Sequence, residues 1–142
     1  MARKNLVLVA TLALAVFAAN LSLAADAGGK EKVIFQVSDG DARKWTLALN
    51  NARNVQEELG RDKVTIEIVA YGPGIGMLKT DSEVGNRVGD AVAAGMQIVA
   101  CENTMKNQKL TKDDMLPAIS YVPAGVVELM KRQREGYAYI RP

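Results

Sequence analysis

The sequence predicts an α/β fold: an open three-layer sandwich in which helices cover both faces of a mostly parallel, five-stranded sheet. Strand-like and helix-like segments alternate along the chain from residue 32 onward, which is typical of βα units. The strand-like runs lack a clean two-residue alternation, as expected of strands that are covered on both faces. Short connections favour right-handed crossovers between neighbouring strands.

Each element rests on a local signal. Strands are apolar, often β-branched runs of strand length, and helices carry apolar residues at helical spacing and end at glycine. Strands are expected at Lys32–Val37, Lys63–Gly72, Met96–Cys101, Ala118–Val122 and Tyr137–Ile140. Helices are expected at Asp41–Leu59, Ser82–Ala94 and Pro123–Gly136. Thr111 and Asp114 have the spacing of a capping box.

The expected strand order is flavodoxin-like. In an open parallel sheet, ligands and chemistry gather beyond the carboxyl ends of the strands. Three features are predicted to meet there: the sequence SDGD after the first strand, the sequence GPGIG after the second, and Cys101 at the end of the third.

The N-terminus has the pattern of a secretion signal. Arg3 and Lys4 precede an apolar run, Leu6–Ala19, that is too short to span a bilayer comfortably. Small residues allow cleavage after Ala24 or, as an alternative, after Ala27. A retained membrane anchor is the other interpretation of this segment.

Cleavage after Ala24 divides the chain into a signal peptide at 1–24, a linker at 25–31 and a single domain at 32–142. The mature protein is then expected to be periplasmic or secreted. The full chain has 18 Lys and Arg against 16 Asp and Glu; removing Arg3 and Lys4 leaves 16 against 16. A neutral chain without a basic stripe predicts no nucleic-acid partner and no stable membrane association after cleavage.

Two residue counts exclude further classes. The chain has no histidine, and therefore lacks the commonest general base and the commonest metal ligand. It has one cysteine, which excludes an internal disulfide. The methionines and Cys101 show no spacing of soft-metal ligands, so neither a metal nor another cofactor is expected, and a soft-metal carrier is only a third alternative.

Two motifs near the predicted sheet edge have a structural and a functional interpretation. The glycine-rich stretch with Gly74 and Gly76 fits neither a Walker loop nor a dinucleotide fingerprint, because Gly76 is followed by Met77, Leu78 and Lys79. A tight turn that allows close backbone packing explains it, and it could still line a pocket together with Asp39. Asp39 and Asp41 could hold a cation or transfer protons, but acids at a helix start more often act as caps.

Cys101 is the candidate reactive residue. A free cysteine is often a small buried hydrophobe, but this one is predicted to end a strand where the chain leaves the core. If Asn103 or Thr104 begins a short helical turn, free N–H groups would favour a thiolate. Glu102 would oppose this effect, and Lys106 would partly compensate for it. The direction of the thiol pKa stays open from sequence.

The segment CENTM, the following residues to the GYAYIRP ending, the SDGD stretch and the LNNARN helix resemble the DsrE/DsrF-like family of sulfur-relay proteins, in its small exported single-domain branch. The resemblance implies a flavodoxin-like fold, commonly in trimers or hexamers, and a strand-end cysteine that carries sulfane sulfur as a persulfide. Only Cys101 is carried over as the reacting residue; Asn103 and Thr104 are expected to support it.

The function expected from this resemblance is that of a sulfur carrier or sulfurtransferase-like protein, with sulfur donor and acceptor proteins or small persulfides as partners. Whether such a protein is an enzyme or only a carrier stays open. The alternative is a non-catalytic ligand-binding or oligomeric assembly module in which Cys101 is buried and inert.

Overall fold

The protein is described by a computed structural model over residues 29–142. The predicted signal peptide and most of the predicted linker lie outside these residues. The strands are β1 (Glu31–Val37), β2 (Val64–Ala70), β3 (Gln97–Cys101), β4 (Ser120–Val122) and β5 (Ala138–Ile140). The helices are α1 (Ala42–Leu59), α2 (Gly85–Ala93), α3 (Glu102–Asn107) and α4 (Gly125–Arg134), with 3₁₀ segments at Gly72–Leu78 and Lys112–Asp114.

The predicted α/β fold class is confirmed: one five-stranded sheet is parallel throughout, with helices on both faces. The strand order is β4-β3-β2-β1-β5, whereas the flavodoxin order is 2-1-3-4-5. Here the chain steps in one direction from β1 to β4 and then returns to place β5 beside β1. The reversal of direction therefore lies between β1 and β5.

This connectivity distributes the helices unequally. Right-handed crossovers place the β1–β2 and β2–β3 connections, with α1 and α2, on one face of the sheet, whereas the returning β4–β5 connection places α4 on the other. The first face holds the larger core, which includes Phe35, Trp45, Ile68, Met77 and Ile98. The second face has a smaller cluster, consisting of Ile34, Val69, Val99, Leu129 and Tyr137.

The ends of α1 follow the predicted signals. Asp41 is the N-cap, and its carboxylate accepts a hydrogen bond from the Arg43 backbone N–H at 2.9 Å. Gly60, at φ 95°, ends the helix in a conformation that favours glycine. Asp41 therefore acts as a cap, which was the structural interpretation of this acid.

Two segments differ from the expected pattern. The glycine-rich stretch is a 3₁₀ helix that begins at Gly72, has proline in its first turn, and buries Ile75, Met77 and Leu78. A separate short helix, α3, follows β3 without a loop, because Cys101 both ends the strand and caps the helix. Within residues 29–142, no helix is both long and apolar enough to cross a membrane.

Candidate functional site

Cys101 lies where β3 ends and α3 begins. It is the N-cap of α3, so the helix starts one or two residues earlier than a start at Asn103 or Thr104 would give. The parallel register places Cys101 beside Val122 of β4, and two residues after Val99, so its side chain points to the face that α4 covers. The sulfur thus lies near the N-terminal ends of two helices, α3 and α4.

Tyr71 is the neighbour of Cys101 on this face. Ala70 pairs with Ala100 in the register of β2 and β3, so the next residue of each strand, Tyr71 and Cys101, lie side by side. Gly125, the first residue of α4, contacts both. Its N–H group approaches the sulfur, and a Cβ added to it would lie 3.0 Å from Tyr71 Cδ1. A side chain at position 125 would therefore force α4 away from the sulfur.

The surroundings of the sulfur favour its ionised form. Burial raises the pKa of the Cys101 thiol, but the Thr104 hydroxyl and the backbone N–H groups of Gly125, Thr104 and Asn103 lower it by more, so the net shift is downward. The neutral side chain makes no regular capping hydrogen bond in α3. The groups around the sulfur therefore favour the thiolate over the thiol.

Thr104 connects the sulfur to the glycine-rich segment. Its Oγ1 accepts a hydrogen bond from the Gly72 N–H at 2.9 Å, which leaves the hydroxyl hydrogen free to point to the sulfur. The Asn103 N–H donates to the Pro123 carbonyl at 3.1 Å. This second bond holds the start of α3 close to the start of α4.

The Cys101 side chain is buried, and its neighbour in sequence, Glu102, is acidic. Cys101 is only 5% exposed, which agrees with the burial expected under the alternative interpretation. The Glu102 side chain is exposed. Its carboxylate, together with burial, raises the pKa of Tyr121, which packs against the core on the other face of the sheet. The Glu102 carboxylate therefore lies towards the face of the sheet opposite to the Cys101 side chain.

The predicted pocket residues occupy different places. Gly74 is buried against the backbone at the end of β1, and Gly76 lies against the Trp45 ring. Asp39 lies at the carboxyl end of β1, where its backbone oxygen accepts a hydrogen bond from Trp45 Nε1 at 2.7 Å. Gly74 and Gly76 thus serve close packing here, and the suggestion that the three residues line a ligand pocket stays a prediction.

Asp39 lies close enough to Tyr71, the neighbour of Cys101, to affect the pKa of its phenol. An Asp39 carboxylate oxygen lies 3.7 Å from Arg141 Nη2. Burial raises the pKa of the Tyr71 phenol, as do Tyr139 and Asp39, whereas Ser38 and Arg141 oppose that shift. The Tyr71 phenol is therefore neutral, and its polar neighbours lie at or just after the carboxyl ends of β1 and β5.

Sequence reasoning missed Tyr71 and Gly125. Tyr71 follows the last residue of β2 by one position, whereas the sequence predicts a strand that continues to Gly72 and gives Tyr71 no role. Gly125 was included in a predicted helix without a role, and only the three-dimensional contact with Tyr71 reveals why glycine is needed there. Within residues 29–142, no three metal-ligating His, Cys, Asp or Glu side chains converge.

Thr104→Val is expected to raise the pKa of the Cys101 thiol, because it removes the hydroxyl group and keeps the shape. One hydrogen bond to a charged group corresponds to a roughly tenfold effect, so alkylation of the thiol at pH 7 should slow by up to that factor. The rate of iodoacetamide labelling against pH measures it. Thr104→Ser should retain the wild-type profile, as should Thr65→Val in β2; an unchanged profile in Thr104→Val would contradict the role of the hydroxyl.

Comparison with known proteins places this geometry in a family. The model of the DsrE/DsrF-like family matches residues 31–142. The chain is 35% identical to a protein of unknown function, MTH1491 from Methanobacterium thermoautotrophicum, over 80% of this chain and 100% of that one, with a TM-score of 0.76.

Two further solved structures share the fold at low identity. The conserved protein of unknown function BT1422 from Bacteroides thetaiotaomicron is 14% identical over 79% of this chain and 95% of its own, with a TM-score of 0.65. The ychN protein from E. coli is 9% identical over 80% of this chain and 99% of its own, with a TM-score of 0.61. No curated protein sequence matches the chain. Because the family model covers nearly all of the described residues, the chain belongs to the DsrE/DsrF-like family.

Proposed function

We propose that the protein carries sulfane sulfur as a persulfide on Cys101. The family is generally linked to sulfur relay. The observation that supports the proposal best is the set of donors around the sulfur, which lowers the pKa of the Cys101 thiol despite its burial. The thiolate is the nucleophile in thiol exchange. Because these donors lower the thiol pKa, the thiolate can form without a histidine base.

The proposed reaction has two balanced steps. The Cys101 thiolate attacks the outer sulfur of a donor persulfide, forming the new sulfur–sulfur bond of Cys101–S–SH as the donor's own sulfur–sulfur bond breaks and its thiolate leaves. An acceptor thiolate then attacks the outer sulfur of Cys101–S–SH, and the Cys101 thiolate is released. No oxidant or reductant is consumed, because sulfur is exchanged between thiols.

The buried position of the sulfur has a consequence for this mechanism. With Cys101 5% exposed, a donor can reach it only if the elements around it separate slightly. The sulfur lies at the rim of the sheet between the first residues of α3 and α4. A small movement of either helix start would therefore expose it without opening the core.

The experiment that tests the proposal is mass spectrometry of the protein after treatment with a small persulfide or polysulfide. Wild type is expected to gain one sulfur, and Cys101→Ser is expected to gain none. The added sulfur should leave again when an acceptor thiol is supplied. Equal labelling of the two proteins would end the proposal.

The burial of Cys101 also favours a second candidate, a non-catalytic ligand-binding or assembly module with an inert cysteine. Titration of the thiol under native conditions separates the two functions. Prompt reaction supports the carrier, and reaction only after unfolding supports the module.

We further propose that the donors and acceptors are other proteins or small persulfides, that the protein is exported, and that it forms homotrimers or hexamers. The pattern of residues 1–24 supports export. Exposed apolar residues on α4, Val126, Val127 and Met130, support a further interface. Light scattering measures the oligomeric state. The intact mass of protein recovered from an expressing cell shows whether the N-terminal segment has been removed.

A further inference from the structure

A charged cluster lies under α4, at the end of the helix opposite to Cys101. Glu67 of β2 is fully buried, and one of its carboxylate oxygens lies 2.7 Å from Arg132 Nε. The same nitrogen lies 2.8 Å from a carboxylate oxygen of Glu128. Arg132 Nη1 is also 3.0 Å from Glu135. Three carboxylates therefore surround one guanidinium.

The hydrogen bonding of this cluster is incomplete. Both carboxylate oxygens of Glu67, and Arg132 Nε, lack a hydrogen bond of normal geometry, although the ion-pair distances are short. The remaining groups add little positive charge. The Tyr137 ring lies 5.3 Å from the Arg132 guanidinium carbon, and Lys32 approaches that ring at 5.8 Å and donates to the Glu135 backbone oxygen. The fully ionised cluster is therefore short of both positive charge and donors.

The cluster and the sulfur are attached to the same helix. In α4 the buried residues are Gly125, Glu128 and Leu129, so Leu129 is the one aliphatic anchor among them. Gly125, at the N-terminal end, provides the N–H near the Cys101 sulfur, and Arg132 is seven residues further along. A shift at the charged end of this short, rigid element therefore moves the N–H at the other end.

We propose that Glu67 is a positioning residue for Cys101: together with Glu128 and Arg132 it sets, through α4, how closely the Gly125 N–H approaches the sulfur, and ionisation of Glu67 loosens that approach. The proposal concerns access to the thiol and its reactivity. It does not depend on which group Cys101 carries.

Burial raises the pKa of the Glu67 carboxyl to about 7; Arg132 opposes the shift and Glu128 adds to it. Below that pH the protonated Glu67 leaves the Arg132 and Glu128 charges paired. Above it Glu67 carries a charge in a fully buried position, where the loss of hydration outweighs the attraction of Arg132 and the repulsion of Glu128 adds to the cost. Because α4 covers Glu67 through Arg132, a slight separation of the helix from β2 lets water reach the ionised carboxylate, and ionisation therefore loosens this contact.

Hydrogen exchange of the wild-type protein between pH 6 and pH 8 tests the proposal, with α1 as the reference inside the molecule. After correction for the chemical exchange rate, the first turn of α4 is expected to exchange about tenfold faster at pH 8, because the ionised fraction of a group with a pKa near 7 rises by about that factor. Iodoacetamide labelling of Cys101, corrected for the thiolate fraction, should rise in parallel.

Glu67→Gln removes the ionisation and keeps the shape, so both rises should disappear; Glu58→Gln, an exposed carboxylate of α1, should retain them. A wild-type α4 that exchanges like α1 at both pH values would overturn the proposal even if Glu67→Gln failed to fold. The proposal would also be overturned if the exchange rate of α4 in Glu67→Gln rose with pH as in wild type. The same holds if the labelling rate of Cys101 did not rise together with the exchange rate of α4. Failure of Cys101 to take up sulfur would leave all of these readouts unaffected.

Discussion

Gly74→Ala is expected to lower the free energy of unfolding by about 3 kcal/mol, the upper end of the usual cost of overpacking. An ideal Cβ at this position collides with the carbonyl oxygen of Val37, lies 2.6 Å from its carbonyl carbon and 3.0 Å from Ser38 Cα. These are backbone atoms at the end of β1, which cannot rotate out of the way as a side chain can. Either β1 or the 3₁₀ segment at Gly72–Leu78 must move.

Urea unfolding of wild type and variant measures this effect, and Gly89→Ala is the matched control. Gly89 lies within α2 and an added Cβ meets nothing within 4 Å, so alanine there should stabilise the protein by up to about 1 kcal/mol through helix propensity. A Gly74→Ala protein as stable as wild type would contradict the close approach of these two backbone segments.

The same substitution connects packing to the candidate site. The 3₁₀ segment that Gly74 holds against β1 begins at Gly72, whose N–H donates to Thr104. A displaced segment would withdraw that donor and disturb the hydroxyl beside Cys101. The glycine-rich stretch therefore acts on the site through backbone position, which a search for nucleotide-binding motifs would not reveal.

The layers of the fold could be predicted from sequence, but the order of the strands could not. Helical and strand periodicity is local, and it identified α1 and its cap Asp41 to within a residue. The position of β5 depends instead on contacts between distant residues: Tyr137 packs with Ile34 and Leu129, and β5 pairs with β1. The same alternation of elements is compatible with either order, so only these contacts decide it.

The candidate site was predictable in part for a similar reason. A single cysteine at a strand end is visible in the sequence, and so are the two residues whose N–H groups follow it in α3. Gly125 lies far along the chain, in the connection between β4 and β5. Its N–H is one of the donors that lower the pKa of the Cys101 thiol. Glu67 was missed because an acid inside VTIEIVA suggests an exposed strand position. It is buried because α4 brings Arg132 over it.

Glu67→Gln is expected to stabilise the protein at pH 8 and to have little effect at pH 5. The folded-state pKa of this carboxyl, about 7, is above its ordinary value of 4.5. From about pH 4.5 the unfolded chain ionises this carboxyl while the folded protein keeps it protonated, so wild-type stability should fall as the pH rises from 4.5 to 7 and stay low above that range. The glutamine does not ionise and escapes this loss.

The size of the effect follows from the same linkage. A difference of this extent between folded and unfolded pKa corresponds to on the order of 3 kcal/mol at pH 8, or several degrees in Tm for a domain of this length. Urea unfolding at pH 5 and pH 8 measures it, with Glu58→Gln as the control that should match wild type at both. A destabilised Glu67→Gln at pH 8 would mean that Arg132 requires both carboxylates. The attraction of Arg132 would then exceed the cost of burying the Glu67 charge, and ionisation would hold α4 in place instead of loosening it.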